Sequence, residues 1–243
     1  MIDPRSSVIA KRFYNIKRVV AVSSGKGGVG KSMIATTIAL KMAKKGLKVG
    51  LFDLDFTSPS THLIMGVKNI QPEEEKGIVP PFVNELAYMS LVFYSGELAT
   101  PLRGVDISNA LLELLSVTQW GDLDILILDL PPGLGDVVLD LVKFLKKIEF
   151  VIVTTSSQLA FQTVKKQLIL LRELKVKTIG VVENMKISRI QLIQKEIEKL
   201  GFVYLTNIPY DKTLEDSIGD CDKLLATNFA KIIDENLVKK IIL

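Results

Sequence analysis

The chain has 243 residues, 48% hydrophobic and 24% charged, which suits one large folded domain with a sizeable core and excludes a disordered chain. A single cysteine (Cys221) and a single histidine (His62) exclude, within one chain, a disulfide framework, an all-cysteine zinc or iron–sulfur site and paired-histidine metal chemistry. The net charge of +4 comes from lysines scattered among glutamates, so no basic nucleic-acid tail is expected, while an anionic small ligand is compatible.

In chain order, strands are expected at residues 18–23, 48–53, 86–94, 124–129, 150–155, 178–183 and 202–206. Helical patterns lie between most of them, at 32–45, 107–117, 137–146, 159–174 and 190–200. The strands are near-continuous apolar runs rather than alternating ones, which suits a parallel sheet covered on both faces. The expected fold is therefore α/β, a doubly wound and mostly parallel sheet with helices on both faces and a ligand site beyond the strand C-termini. Residues 71–81 (QPEEEKGIVPP) read as a surface loop. We expect one domain over 1–243, with 1–16 as an N-terminal extension and 228–243 as a C-terminal amphipathic helix. The basic N-terminus lacks the apolar core of a signal peptide, and no apolar stretch is long enough to span a bilayer, so a cytoplasmic location is expected.

The strongest motif is GKGGVGKS, directly after the first strand and before the first long helix. It fits the phosphate-binding pattern G-x-x-x-x-G-K-[ST]. Gly25, Lys26, Gly27, Gly28, Val29, Gly30, Lys31 and Ser32 would then enclose phosphates with backbone N–H groups at a helix N-terminus. Lys31 would reach the β- and γ-phosphates of a nucleotide, and Ser32 would hold Mg²⁺. At the end of the second strand, LFDLDFTSPS carries Asp53 and Asp55, which strand alternation would point to the same side. Further on, LDILILDLPPGLGD delivers Asp129 at the end of an apolar strand, as a Walker B carboxylate acting on Mg²⁺ through water. Gly133 follows two prolines and would leave its N–H free to approach the γ-phosphate.

Lys26, directly after the first glycine, is not required by the general pattern. With it the motif resembles the deviant Walker A ATPases, which include MinD, ParA, the nitrogenase iron protein and Mrp. That resemblance implies a SIMIBI-like P-loop NTPase fold, an ATP-sandwiched homodimer and a Lys26 that reaches the partner's nucleotide. It also makes Asp55 the residue that positions the attacking water and supports Mg²⁺, with Asp53 behind it. LRGVDISNALLELLSVTQWGDLDILILDLPPGLGD, together with VVENM, NIPYD and DLDFTSPS, narrows the resemblance to the Mrp-type ATPases, which carry or scaffold iron–sulfur clusters. By the same resemblance Asn184 would bond the adenine edge, and the backbone near Pro209 would line the base pocket. An iron–sulfur client or scaffold protein would be the partner.

The sequence departs from that family where a CxxC pair is usual: VVENMKISRIQLIQKEIEKLG contains no cysteine. Two copies of Cys221 fall short of the four thiolates a [4Fe–4S] cluster usually takes, so a bound cluster is in doubt. His62 and Trp120 read as structural. One alternative is a MinD- or ParA-like positioning switch whose ATP state controls membrane or DNA association, and a second is a non-catalytic nucleotide-binding regulator. Nucleic-acid binding is not expected. The apolar stripe Ile232, Ile233, Leu237, Val238, Ile241 and Ile242 fits either a membrane-surface helix or, as favoured, a last helix docked on the sheet.

Overall fold

The computed structural model describes residues 3–95, 105–187 and 192–242. Its strands are β1 (Ile16–Ser24), β2 (Val49–Asp53), β3 (Glu73–Glu74), β4 (Ile78–Val79), β5 (Phe82–Val83), β6 (Leu86–Ser90), β7 (Leu123–Asp129), β8 (Ile148–Thr155), β9 (Lys177–Lys186) and β10 (Tyr204–Pro209). The helices are α1 (Arg5–Arg12), α2 (Lys31–Ala43), α3 (Thr61–Met65), α4 (Val92–Ser95), α5 (Val105–Val117), α6 (Asp136–Phe144), α7 (Gln158–Glu173), α8 (Leu192–Lys199), α9 (Cys221–Ala226), α10 (Asn228–Ile233) and α11 (Lys239–Ile242). A 3₁₀ turn, Lys212–Ser217, precedes α9, and a π-helical turn, Asp234–Val238, joins α10 to α11.

Eight strands form one sheet in the order β10-β9-β8-β1-β7-β2-β6-β5. The pairings are parallel except for β5, which runs antiparallel to β6. The expected doubly wound sheet is therefore present. β1 lies between β7 and β8, so the loop after β1 opens at the middle of the sheet, where strand order reverses and ligands of such folds bind. One apolar core fills each face. Leu111, Leu115, Leu126, Phe150 and Leu168 belong to one, and Ile34, Ile38, Leu51, Ile127 and Val153 to the other. Side chains from both faces of β7 and β8 are thus covered, which is why these strands read as unbroken apolar runs.

Several local expectations change. The 71–81 segment is partly a hairpin, because Glu73 and Glu74 pair with Val79 and Ile78. The strand expected at 86–94 ends at Ser90, and its last residues turn into α4. The last strand starts at Tyr204 and runs on to Pro209. The helix expected at 190–200 is seen as α8, with residues 190 and 191 outside the described set. Residues 102–104 of the LRGVD tract also lie outside it. Within the N-terminal 1–16 segment, α1 packs on α5 and buries Ile9 completely.

The C-terminal segment is not one continuous helix but is broken by the π-helical turn. Phe229, Ile233, Leu237, Val238 and Ile241 are buried in the core beside α2, while Ile242 is exposed. This explains an oddity of α2, whose apolar residues do not keep to one face. Its outer side is covered by α9, α10 and the π-helical turn, so it is buried nearly all round. Among the described residues, no helix is long and apolar enough to cross a membrane.

Candidate functional site: a phosphate-binding cleft

The loop 25–32 leaves the end of β1 and turns directly into α2. Its path is set by close approach. Gly25 lies under α7, where a Cβ would come within 2.9 Å of Thr163. Gly30 has φ 81°, and a Cβ there would run into the side-chain nitrogen of Asn184, so only glycine fits on both counts. Ser24 fixes the loop's root by donating from Oγ to the Lys26 carbonyl at 2.9 Å. Behind it, the buried Gln167 of α7 donates from Nε2 to Ser23 Oγ at 2.6 Å.

Lys31, the first residue of α2, is buried with its ammonium 2.6 Å from Asp129 Oδ1 and 3.2 Å from Ser32 Oγ. Asp129 ends β7 and is fully buried. Its register partner on β2 is Asp53, so two carboxylates share this end of the sheet. Burial, reinforced by Asp53 and opposed by Lys31, pushes the Asp129 carboxyl up to about 7. The second oxygen, Oδ2, is buried without a hydrogen-bond partner among the described residues. An orphaned carboxylate oxygen near the Ser32 hydroxyl fits magnesium, which takes one or two protein oxygens and completes its shell with phosphates and water.

The segment after β2 is ordered by Asp53 rather than shared between two equal aspartates. β2 ends at Asp53, so strand alternation no longer governs Asp55. Asp53 Oδ1 accepts the Asp55 N–H, and Oδ2 accepts the N–H groups of Ser60 and Thr61 and the Thr61 hydroxyl. Thr61 gives its only hydroxyl hydrogen to that carboxylate, so the 2.9 Å contact with Tyr88 is donated by the phenol. Burial, aided by the nearby Asp53 charge, raises the phenol and keeps it protonated for this bond. Asp55 instead lines the cleft, its Oδ1 accepting from the N–H groups of Thr57 and Ser58 and from Thr57 Oγ1.

The cleft has a volume of about 460 Å³ and brings Lys26, Gly27, Gly28, Gly30, Lys31 and Ser32 together with Asp55 and Pro132. Larger grooves lie elsewhere, but they lack the glycine loop and the buried lysine–aspartate pair. Lys26 is exposed at the mouth and makes no ion pair among the described residues. Val29 is buried beneath the loop. Gly133, expected to offer a free N–H, donates it to the Ser24 carbonyl at 2.7 Å, which ties the segment after β7 to the root of the phosphate loop. Asn184 and Pro209 do not line this cleft. Asn184 is buried near the end of β9 and donates from Nδ2 to the Val29 carbonyl at 2.9 Å, while Pro209 ends β10 at an exposed position.

The sequence reading missed Thr61, Tyr88 and Gln167, which hold the segment after β2 and the root of the phosphate loop. It also missed Glu183, which is buried and bonded to Ser156, Lys186 and Tyr204. Glu183 lies within VVENM, where the sequence reading singled out its neighbour Asn184, and no local motif marks the other three. Trp120 is buried and tilted against Phe52 at a ring distance of 5.2 Å, a packing role. His62 lies on α3 and is not among the cleft residues.

A resident iron–sulfur cluster does not fit this chain. Cys221 is its one thiol, half-buried at the start of α9, and burial together with Asp222 and Asp220 pushes it up to about 11. Among the described residues, no group of three or more metal-ligating His, Cys, Asp or Glu side chains exists.

A glycine loop between a strand and a helix, a buried lysine on its last turn and a carboxylate ending the adjacent strand define a P-loop NTPase site. A family model described as "ParA: NUBPL iron-transfer P-loop NTPase" matches residues 15–239, and the chain belongs to that family. It is 40% identical over 178 residues to an iron–sulfur cluster carrier protein of Pseudomonas fragi, covering 71% of this chain and 62% of that one. It is 38% identical over 179 residues to the carrier protein of Aquifex aeolicus, covering 72% and 49%. The chain thus spans only about half to three fifths of the length of these relatives. A nucleotide-binding protein from Archaeoglobus fulgidus, solved in complex with ADP, superposes with a TM-score of 0.78 at 28% identity over 93% of this chain and 95% of that one. The cell-division ATPase MinD of Pyrococcus furiosus superposes with a TM-score of 0.67 at 20% identity over 93% and 98%, a likeness of fold.

Proposed function

We propose that the chain is an Mg²⁺-dependent ATPase that dimerises around ATP and assists iron–sulfur cluster assembly or transfer on a partner protein. The observation that carries the reading is the convergence of Lys31, Ser32 and Asp55 on one glycine-lined cleft, with Asp129 bonded to Lys31 behind it and an unpaired Lys26 at its mouth. Lys31 would exchange the Asp129 carboxylate for phosphate oxygens, and the loop N–H groups would hold the rest of the triphosphate. Ser32, and Asp129 through water, would hold the magnesium ion, which supplies charge neutralisation on the phosphates. Asp55 would orient a water for in-line addition to the γ-phosphorus. The bond from that phosphorus to the β–γ bridging oxygen then breaks, giving ADP and phosphate.

Lys26 is the basis for the dimer. A second cation beside Lys31 repels it unless more negative charge arrives, and a partner's triphosphate would supply that charge. Because the chain has one raised thiol, the cluster thiolates are assigned to the partner, and this chain contributes the nucleotide cycle. The test is Lys26→Ala, followed by calorimetry for ATP binding and light scattering for mass. Retained ATP binding with loss of the ATP-dependent dimer supports the reading. A variant that dimerises with ATP as readily as wild type would overturn the cross-dimer role.

A further inference from the structure

At the end of the sheet opposite the phosphate loop lies a groove of about 640 Å³, between the end of α6, the start of β8 and the end of α7. Its apolar lining comes from Leu139, Val142, Leu145, Leu174 and Val176. Leu139 and Leu174 are 43% and 41% exposed, an apolar display that the fold itself does not require. Around this lining stand Lys143, Lys146, Lys147 and Lys175, all exposed and without an ion pair among the described residues.

The acidic side chain in the groove does not neutralise them. Glu149 already accepts from Arg18 at 2.8 and 3.0 Å and pairs with Lys177 at 2.6 Å. Lys17, the remaining cation of the rim, is paired with Asp124 at 2.7 Å. Cations at the ends of α6 and α7 complement the helix dipoles, which accounts for Lys143 and Lys175. The same holds for Lys146, which like Lys175 directly follows its helix's C-cap, but it does not account for Lys147 or for the exposed leucines between the charges.

We propose that this groove receives an acidic, amphipathic segment of a partner protein, with its apolar side chains on the leucine and valine lining and its carboxylates against the unpaired lysines. The chemistry favours a peptide over nucleic acid. The groove is lined by no aromatic side chain on which a base could stack and by no arginine to grip phosphate in a bidentate manner. A purely anionic ligand would have no use for the apolar lining. The volume falls in the range of about 300–1,000 Å³ typical of ligand clefts, room for a few apolar side chains from one face of a bound segment. Because the groove is remote from the nucleotide cleft, the inference does not depend on ATP chemistry, and its failure would leave the functional reading above intact.

The experiment uses fluorescent peptides of about 14 residues, long enough for marginal helicity. One has leucines at helical spacing among glutamates, one has lysines in place of the glutamates, and one has the leucines replaced by serine. An oligothymidylate of similar charge is the competitor. Anisotropy with the full chain should show saturable binding of the acidic leucine peptide alone, weakening with added salt. Lys143→Glu/Lys146→Glu/Lys147→Glu should weaken it by about tenfold or more. Leu139→Ser/Leu174→Ser should weaken it by a smaller but measurable factor of about three to ten. All substituted positions are exposed, and an unchanged melting temperature verifies folding. Three results overturn the proposal: no binding of the acidic leucine peptide, equal binding by the charge-reversed variant, or equal binding of the serine peptide. Tighter binding of the oligothymidylate at the same lysines would assign the groove to nucleic acid and equally overturn it.

Discussion

Replacing Asp129 by asparagine should tighten nucleotide binding when magnesium is absent. In the nucleotide-free protein Lys31 is held by a buried, charge-assisted bond of 2.6 Å to Asp129, and it must leave that bond to reach a phosphate. Such bonds are worth about 1.5–3 kcal/mol, or roughly 10- to 150-fold in affinity. The substituted amide would be a weaker partner for the ammonium and would also remove a negative charge facing the incoming phosphates, so both effects have the same sign. Calorimetric titration of ADP in excess chelator should therefore give a lower Kd for Asp129→Asn than for wild type. With magnesium the order should reverse for turnover, because the variant loses an oxygen assigned to the metal's water shell. The pH dependence follows from the position of the carboxyl. Its folded value of about 7 lies above the usual 3.8, so its stabilising contribution is complete below about 3.8 and is lost as pH rises through about 7. Above pH 7 Asp129 is ionised and grips Lys31 most strongly, and the difference between wild type and variant should be largest there and shrink on acidification. Weaker ADP binding by Asp129→Asn in chelator, on the alkaline side of that value, would refute the exchange of partners by Lys31.

Asp55→Ala should bind ATP and accumulate as a dimer on size exclusion while turnover drops by about 100-fold, since water placement affects the transition state more than ground-state binding; a monomer with normal turnover would remove Asp55 from the mechanism. Anaerobic reconstitution of the chain alone should give no [4Fe–4S] cluster that survives desalting, and a stoichiometric cluster lost in Cys221→Ser would contradict that. Asn184→Ala should lower the stability of the nucleotide-free protein by about 1–3 kcal/mol, because the Val29 carbonyl loses its 2.9 Å partner behind the phosphate loop. Denaturant unfolding measures it, and unchanged stability with loss of ATP-over-GTP preference would return Asn184 to a base-reading role alone.

The parts of the site that a short stretch of chain determines were legible in the sequence. GKGGVGKS carries its glycines, its lysine and its helix start within eight positions, and Asp129 is announced by the apolar strand before it. What was not legible depends on neighbours far away in sequence. The end of β2 at residue 53 was legible, but the use made of Asp53 was not, because its carboxylate is captured by Thr61, itself held by Tyr88 from β6. The Gly133 N–H reads as free in the sequence, since nothing near PPGLGD shows that the Ser24 carbonyl stands within 2.7 Å. The hairpin at 73–79 was hidden by a composition that reads as loop, since Glu73 and Glu74 are exposed and pair by backbone alone.

The enclosure of α2 also bears on how the protein comes into being. Residues 31–43 leave the ribosome long before the side chains that close over them, from Phe229 to Ile241, have been translated. Until then the outer face of α2 has no cover, and its apolar side chains are open to water or to a chaperone. A nascent chain that has threaded out its glycine loop therefore has no firm seat for it. Nucleotide capture should wait for that distant cover rather than accompany the loop's emergence, and a chain stalled short of it should be a client for quality control rather than a partial enzyme.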